Sequence, residues 1–444
     1  MRLTFLKSAG VVIESRGTRL LCDPWLEDGA YYGSWAHVPP CDVTPEQIGP
    51  LAGIYISHIH PDHLHAATLE RFPKQTPVFI HRYAWSYLAD YVRELGFVPV
   101  EVSNGESVKV GALRLTIYAA DNCNPFLCGM VFGCDARVGA ERPGSVQIDS
   151  MAVVDDGKRS IVNVNDCPWD LGQGASNAIL KRFGRPDLLL TNYVGAGPYP
   201  QCFVMPEATK LAKAAAKREQ FLGQAAKYIA LFGPRAFMPF AGTYTLAGPL
   251  AVLNRHRGCP TIEEATIELS KRLHGPRALH LDTGQRYDLD TGEVSGPRHP
   301  WSAGDRAFYE AKLSSRVLDY ERDKDPGDLG PALKAAADRF QRRCAEVGFQ
   351  TRTRVYVRTA PDECFQVPTN GGDTGPVTYE AAKAREPYLI VGADPRLLKW
   401  LLEGPGGPHH AHWGDASIGS HLTFERAPDV YETALYFCLD SLHA

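Results

Sequence analysis

The stretch Ser57-His58-Ile59-His60-Pro61-Asp62-His63-Leu64-His65 constrains this chain more than any other. It follows Leu51-Ala52-Gly53-Ile54-Tyr55-Ile56, an apolar run that reads as a buried strand. The histidines begin where that strand ends. Side chains at i and i+2 of an extended segment point the same way, so His58 and His60 are placed to grip one ion together. Asp62 and His63 come after a turn and reach the same ion or a neighbouring one. Neutral imidazoles with a carboxylate suit zinc, iron, manganese or a similar divalent ion. The bland alternative is a histidine-rich surface loop. So dense a set of donors directly behind a buried strand argues for the metal.

This H-x-H-x-D-H pattern resembles the signature of the metallo-β-lactamase fold superfamily, and the resemblance extends both ways. Upstream, MRLTFLKSAGVVIESRGTRLLCDPWL (Met1 to Leu26) reads as two strands around Ser15-Arg16-Gly17-Thr18. They end at Asp23-Pro24-Trp25-Leu26, much as superfamily members related to ascorbate-phosphate lactonase and N-acyl-phosphatidylethanolamine phospholipase begin. The resemblance implies that Asp23 orients a metal-binding histidine. Downstream, Ser160 to Cys167 (SIVNVNDC) is a strand delivering Asp166, which matches the superfamily's bridging or late metal aspartate. The implied fold is α/β, a metallo-β-lactamase-like αββα sandwich.

The chain has 444 residues, enough for two domains. Residues 1–298 are expected to form the metal-binding catalytic domain and residues 299–444 a C-terminal α+β domain, with Pro297 to Pro300 at the boundary. A net charge of −4 puts no basic field on the surface, which speaks against nucleic acid and anionic membranes as partners. No apolar run is long enough to span a bilayer, and the N-terminus lacks the layout of a signal peptide. The 11 cysteines are scattered without a C-x-x-C pair, as expected of reduced thiols in a cytoplasmic protein. Cys123, Cys128 and Cys134 lie close together, but their spacing fits no common metal pattern.

Further along, Ala66 to Arg71 reads as a short helix, Thr76 to His81 as a strand and Ala84 to Leu95 as a helix. A hairpin over Val108 to Tyr118 leads into Asp121-Asn122-Cys123-Asn124. Hydrolases of this superfamily place a third metal histidine about there, so Asp121 becomes an uncertain extra ligand. Residues 123–147 form an insertion long enough to cover an active site. Pro186 to Gly197 is a strand and a glycine-bearing loop, and Pro206 to Leu231 a long helix with proline in its first turn. On it, Lys210, Lys213, Lys217 and Arg218 either face water or offer charge to an anionic substrate. The segment Phe237 to Tyr244 carries Ala241-Gly242 where hydrolases have their last metal histidine. Thr261-Ile262-Glu263-Glu264 begins a helix with a capping box. Beyond Pro300 come helices over 303–320 and 330–347, strands over 351–358 and 388–392, a helix over 395–403, and a strand over 418–426. A last helix starts near Asp429. The loop GPGGPHHAHWG, with His409, His410 and His412, reads as mobile and exposed.

Several segments together are similar to the metallo-β-lactamase-like portion of the CMP-N-acetylneuraminate hydroxylases. They are IYISHIHPDHLHAATLERF, the Asn165-Asp166-Cys167 turn, TNYVGAGPYPQCF, KREQFLGQAAKYIALFGPRAFMPFAGTY and IGSHLTFERAPDVYETALYFCLDSLH. That branch likewise lacks the two late histidines. It also carries a Rieske iron–sulfur domain, which needs C-x-H or C-x-x-H pairs. No cysteine here is followed by histidine at either spacing, so no iron–sulfur cluster of the chain's own is expected.

The resemblance implies a non-haem iron oxygenase or hydroxylase acting on a small polar substrate, nucleotide- or sugar-linked in the relative. One or two iron ions would be held by His58, His60, Asp62, His63 and Asp166, with Asp62 and His63 also in catalytic roles. Electrons would come from a ferredoxin-like partner, a cosubstrate or the substrate. The other chemistry is a zinc- or manganese-dependent hydrolase of a phosphodiester, lactone or amide, in which Asp62 positions or deprotonates a metal-bound water. Under either chemistry, Asn192, Lys217, Arg218 and Tyr244 are the substrate contacts that proximity in the resemblance suggests.

Overall fold

The computed structural model describes residues 1–124, 127, 145–298 and 300–443. Alternating apolar side chains in the first residues make an antiparallel meander of β1 (Arg2–Lys7), β2 (Gly10–Ser15) and β3 (Thr18–Cys22). Its register sets Leu3 opposite Ile13 and Val12 opposite Leu21. After the two-residue β4 (Trp35–Ala36), the strands β5 (Gly53–Tyr55), β6 (Val78–His81) and β7 (Pro99–Val102) add to β3 in parallel. A Cβ at Gly53 would run into the Phe79 ring, so glycine is what lets β5 lie close to β6.

A second sheet then grows from β8 (Ser107–Val110), β9 (Leu113–Ala119), β10 (Ser150–Asp155) and β11 (Ser160–Asn163), all antiparallel. It continues in parallel through β12 (Leu188–Asn192) and β13 (Ala236–Phe240). β14 (Thr245–Leu246) pairs with β4, and β15 (Arg277–Ala278) closes the second sheet. β16 (Arg286–Asp288) and β17 (Val294–Ser295) return beside β1. The two orders are β17-β16-β1-β2-β3-β5-β6-β7 and β15-β13-β12-β11-β10-β9-β8.

Side-chain alternation sorts each strand between layers. Leu188 and Leu190 enter the core between the sheets with Leu3, Phe5, Ile13 and Ile117. Leu189 points the other way, with Val153, Val162 and Phe237, under the helices Trp169–Phe183, Glu207–Phe232 and Ile262–Arg272. On the far face, Ile54, Ile56, Val78 and Ile80 pack under helices Ala66–Glu70 and Tyr87–Glu94. The result is the expected αββα sandwich. The long helix begins behind Pro206 and stops at Gly233, whose φ of 51° ends it in the left-handed conformation. The capping box expected at Thr261 and Glu264 is present.

A third sheet, ordered β20-β19-β18-β21-β22, is made of β18 (Arg354–Ala360), β19 (Glu363–Val367), β20 (Gly375–Thr378), β21 (Tyr388–Gly392) and β22 (Thr423–Ala427). Helices Gly330–Glu346 and Pro395–Glu403 cover it. Its core also takes in Cys202 and Phe203, and the Phe203 ring stacks on Phe424 at 4.9 Å. The loop after β12 that carries Cys202 and Phe203 is thus committed to this sheet. Most of the 123–147 insertion lies outside the described residues, as do Cys128 and Cys134.

Three readings of the C-terminal part need correction. The helix expected over 303–320 stops at Leu313, where Ser314 caps it, and a short 3-10 turn follows at Asp319–Arg322. The strand expected from Ile418 starts at Thr423, because His412 Nδ1 accepts from the Gly414 amide and nucleates a helix over Trp413–Ile418. The histidine loop is exposed at His409 and His410 as expected, but it is anchored: His409 lies flat on Trp400 with ring centroids 3.8 Å apart, and the amide of His412 donates to the Tyr32 hydroxyl at 2.8 Å. No helix among the described residues is long and apolar enough to cross a membrane.

Candidate metal centre

The ends of β3, β5 and β11 deliver Asp23, His58 and Asp166 to one edge of the sandwich, the usual place for function in a sheet with parallel strands. At these exits the backbone leaves the strand sharply, with φ of 41° at Asp23 and 49° at Asn165. Beyond β5 the chain passes through Ile56 and Ser57 and then folds into a turn, in which the amides of His63 and Leu64 both donate to the His60 carbonyl. That turn swings His63 back beside His58.

His58, His63 and Asp166 each offer a ligand atom, all within 4.8 Å of one another. His63 Nε2 sits 3.5 Å from Asp166 Oδ2 and 3.5 Å from Asp62 Oδ2. His60 stands beside this group, its Nδ1 2.9 Å from His58 Nε2. The turn brings His63 into the convergent set with His58 and Asp166, while the His60 ring nitrogen still meets that of His58.

Behind the donors lies a supporting layer. Asp23 is fully buried, accepts from the Ser57 amide at 2.7 Å, and lies 3.1 Å from His63 Nδ1. The Ser57 hydroxyl touches Nδ1 of both His58 and His63, at 2.9 and 3.1 Å. These contacts hold both rings with Nε2 turned toward the carboxylates. His65, the last histidine of the motif, caps the helix Ala66–Glu70 instead.

Burial pushes the His58 pKa well below the ordinary imidazole value, and the neighbouring His63 and His60 push it the same way. Burial likewise brings His60 to about 4. Burial also opposes charge on His63, yet Asp62, Asp166 and Asp23 together hold it well above its ordinary value. Asp149, just before β10, is raised to about 7 by burial and by Asp166. Among the described residues, His63 Nε2 and Asp166 Oδ1 are buried without a hydrogen-bond partner. Crowded carboxylates and unpartnered imidazole nitrogens in a low-dielectric edge are what a divalent cation would satisfy, so the residues fit a metal.

Other residues proposed from the sequence fall elsewhere. Asp121 follows β9; its Oδ1 accepts from Ser145 Oγ at 2.7 Å and the Cys123 amide at 2.9 Å, while Oδ2 is buried and has no partner among the described residues. It is not in the convergent group of three. Asn192 is buried at the end of β12. Lys217 donates to the carbonyls of Gly197 and Tyr199 at 2.9 and 2.8 Å, tying the docked loop to the long helix. Arg218 pairs with Glu264 at 3.3 Å. Tyr244 stacks on Trp35 at 3.5 Å, with the Arg257 guanidinium 4.4 Å over its ring. Lys217 and Arg218 thus both have partners within the protein.

Sequence reasoning missed Asp149, which lies 3.8 Å from His58 Nε2, and Tyr31, whose hydroxyl donates to Asp62 Oδ1 at 2.7 Å. Tyr31 is held in turn by His421, whose Nε2 donates to its carbonyl at 2.8 Å. The C-terminal part thus braces the site. No local signal marks either residue; only the contacts do.

With this geometry in hand, relatives can be placed beside it. The profile of the beta-lactamase superfamily domain matches residues 18–239, and the chain belongs to that superfamily. The fold is that of metal-dependent enzymes. A Mycolicibacterium smegmatis protein, provisionally named a Rieske 2Fe-2S iron-sulfur protein, is 28% identical over 81% of this chain and 70% of its own length. The chain spans 60% of the length of a similarly named Mycobacterium tuberculosis protein that is 29% identical. The cytidine monophosphate-N-acetylneuraminic acid hydroxylase of Cricetulus griseus is 24% identical over 97% of this chain and 74% of its own. Among solved structures, CmlA, a diiron β-hydroxylase from Streptomyces venezuelae, is similar over 64% of this chain and 53% of its own, at 16% identity and a TM-score of 0.43.

Proposed function

We infer that this chain is a non-haem iron hydroxylase of a small polar substrate, with His58, His63 and Asp166 holding the metal and His60 and Asp62 beside it. The observation that carries the reading is the composition of the convergent group: two histidines and one carboxylate. That donor set leaves coordination positions open and is characteristic of non-haem iron oxygenases. The hydroxylase named among the relatives, aligned along nearly the whole chain, supports the same reading. Bound iron supplies the activation of dioxygen. The chain's own residues do the rest: Asp23 and Ser57 fix the orientation of the His58 and His63 rings. Tyr31 fixes the Asp62 carboxylate and leaves its second oxygen to hold a proton or a polar group of the substrate. Hydroxylation consumes two electrons, and the Rieske names of the relatives support a separate iron–sulfur protein as donor.

The donor set also supports a second reading, because three protein ligands with one open position are how catalytic zinc holds water. Elemental analysis of protein purified without added metal, combined with an oxygen-uptake trace on adding reductant, separates the two. Iron with reductant-dependent uptake is the expected result. Zinc or manganese without uptake overturns the hydroxylase and leaves the hydrolase.

A further inference from the structure

A cavity of about 940 Å³ lies apart from the histidine cluster, and none of His58, His60, Asp62, His63 or Asp166 lines it. Three rings in contact connect the two places. Tyr244 forms part of the cavity wall and stacks on Trp35, Trp35 packs on Tyr31 at 4.5 Å, and Tyr31 bonds Asp62.

Two of the buried lining residues are cationic. Lys7 is 4% exposed and Arg257 8% exposed. Lys7 arrives there through a register shift between Phe5 and Lys7 in the β1–β2 pairing, a bulge of the kind that re-aims a side chain. Arg257 donates through Nη1 to the Tyr244 carbonyl at 2.9 Å, but its Nε is buried with no partner among the described residues. Thr245, 3% exposed, has a hydroxyl in the same condition. Buried polar groups are ordinarily satisfied, so unpartnered donors beside a large cavity are a place for a ligand. Of the acidic lining residues, Asp42 and Glu263 are exposed, while Glu310 and Asp282 are half-buried, Asp282 facing Lys7. The wall therefore offers two buried cations together with carboxylate acceptors nearer the mouth.

We propose that this cavity binds a polyhydroxylated anion, a sugar acid or sugar phosphate, whose anionic group meets Lys7 and Arg257 while its hydroxyls donate to the rim carboxylates. Charge-assisted hydrogen bonds to two desolvated cations supply the affinity, and the hydroxyl contacts to the carboxylates favour a sugar anion over a small bare one. The site stands independently of which metal, if any, the histidine cluster holds.

Calorimetric titration of the full chain with D-gluconate, glucose 6-phosphate, inorganic phosphate and glucose tests this. Gluconate or glucose 6-phosphate is expected to bind about tenfold or more tighter than either glucose or phosphate. Which of the two wins distinguishes a carboxylate from a phosphate ligand. Lys7→Met and Arg257→Gln are each expected to weaken that binding about tenfold or more, and Thr245→Val about threefold. His63→Ala should lose metal yet keep the anion affinity. Equal affinity for glucose and both sugar anions would overturn the proposal. So would phosphate binding as tightly as glucose 6-phosphate, or an undiminished affinity in Lys7→Met, which removes a buried charge and leaves the fold intact.

Discussion

The histidine cluster and the Lys7–Arg257 cavity both bury charge without a full set of partners, and they do so with opposite signs. At the cluster, Asp23, Asp62, Asp149 and Asp166 crowd around imidazoles, so the site lacks a cation. In the cavity, Lys7 and Arg257 are buried, and Arg257 Nε has no hydrogen-bond partner among the described residues, so the site has room for an anion. Only three aromatic rings separate them. The contrast shows how a sandwich uses its loops: the strand ends concentrate carboxylates at one edge, and a bulge at Lys7 with the 3-10 helix Gly248–His256 before Arg257 places two cations close by.

The contrast breaks most completely if the cluster can be emptied without touching the cavity. In the double variant His58→Ala, His63→Ala, metal content after purification should fall to background, because two of the three convergent donors are gone. Undiminished metal would show that the ion sits elsewhere.

Next in size is the cost of the buried ammonium. Burial lowers the Lys7 pKa from 10.5 to about 8, against Cys41, Asp282 and Asp42, which raise it, and Arg306, which lowers it; His37 also faces it. Between those two values the unfolded chain binds more protons, so this group's destabilisation is full below pH 8 and is relieved as pH rises toward 10.5. Lys7→Met should therefore raise stability at pH 7 by about 3 kcal/mol and flatten the rise above pH 8, read from denaturant melts across pH. A variant less stable than the parent at pH 7 would mean that Lys7 is already paired.

Asp23→Asn keeps the shape of the buried side chain but removes its charge from behind His63. A loss of about 10- to 100-fold in metal affinity is expected, measured by competition with a chelator, with little change in gluconate binding. Smallest is Tyr31→Phe, which deletes the hydrogen bond to Asp62. It should cost about 1 kcal/mol, or several-fold in turnover, while metal content stays level. If anion affinity in the cavity moves with it, the ring row transmits between the sites rather than dividing them.

Much of this was legible beforehand, and the reasons can be read from single elements. Glu207–Phe232 and Ile262–Arg272 announce themselves through Pro206 and the Thr261/Glu264 box, which are local signals for local structure. Helix Trp169–Phe183 does not, because Gly172 and Gly174 interrupt it. Yet Gly172 is needed there, since a Cβ would collide with the Tyr228 hydroxyl. His412 looked like part of a free loop until Tyr32, 380 residues away, was found bonded to its backbone.

By itself the sequence determined the sandwich and the donors, because strand alternation and closely spaced ligands are properties of neighbouring residues. Folding decided which donors converge: a turn at His60 puts His63 beside His58, and strand ends far apart in the chain bring Asp23, Asp149 and Asp166 to them. The cavity belongs wholly to the tertiary structure. Lys7, Thr245 and Arg257 carry no shared motif, and only the packing of β1 against the segment after β13 removes them from water together.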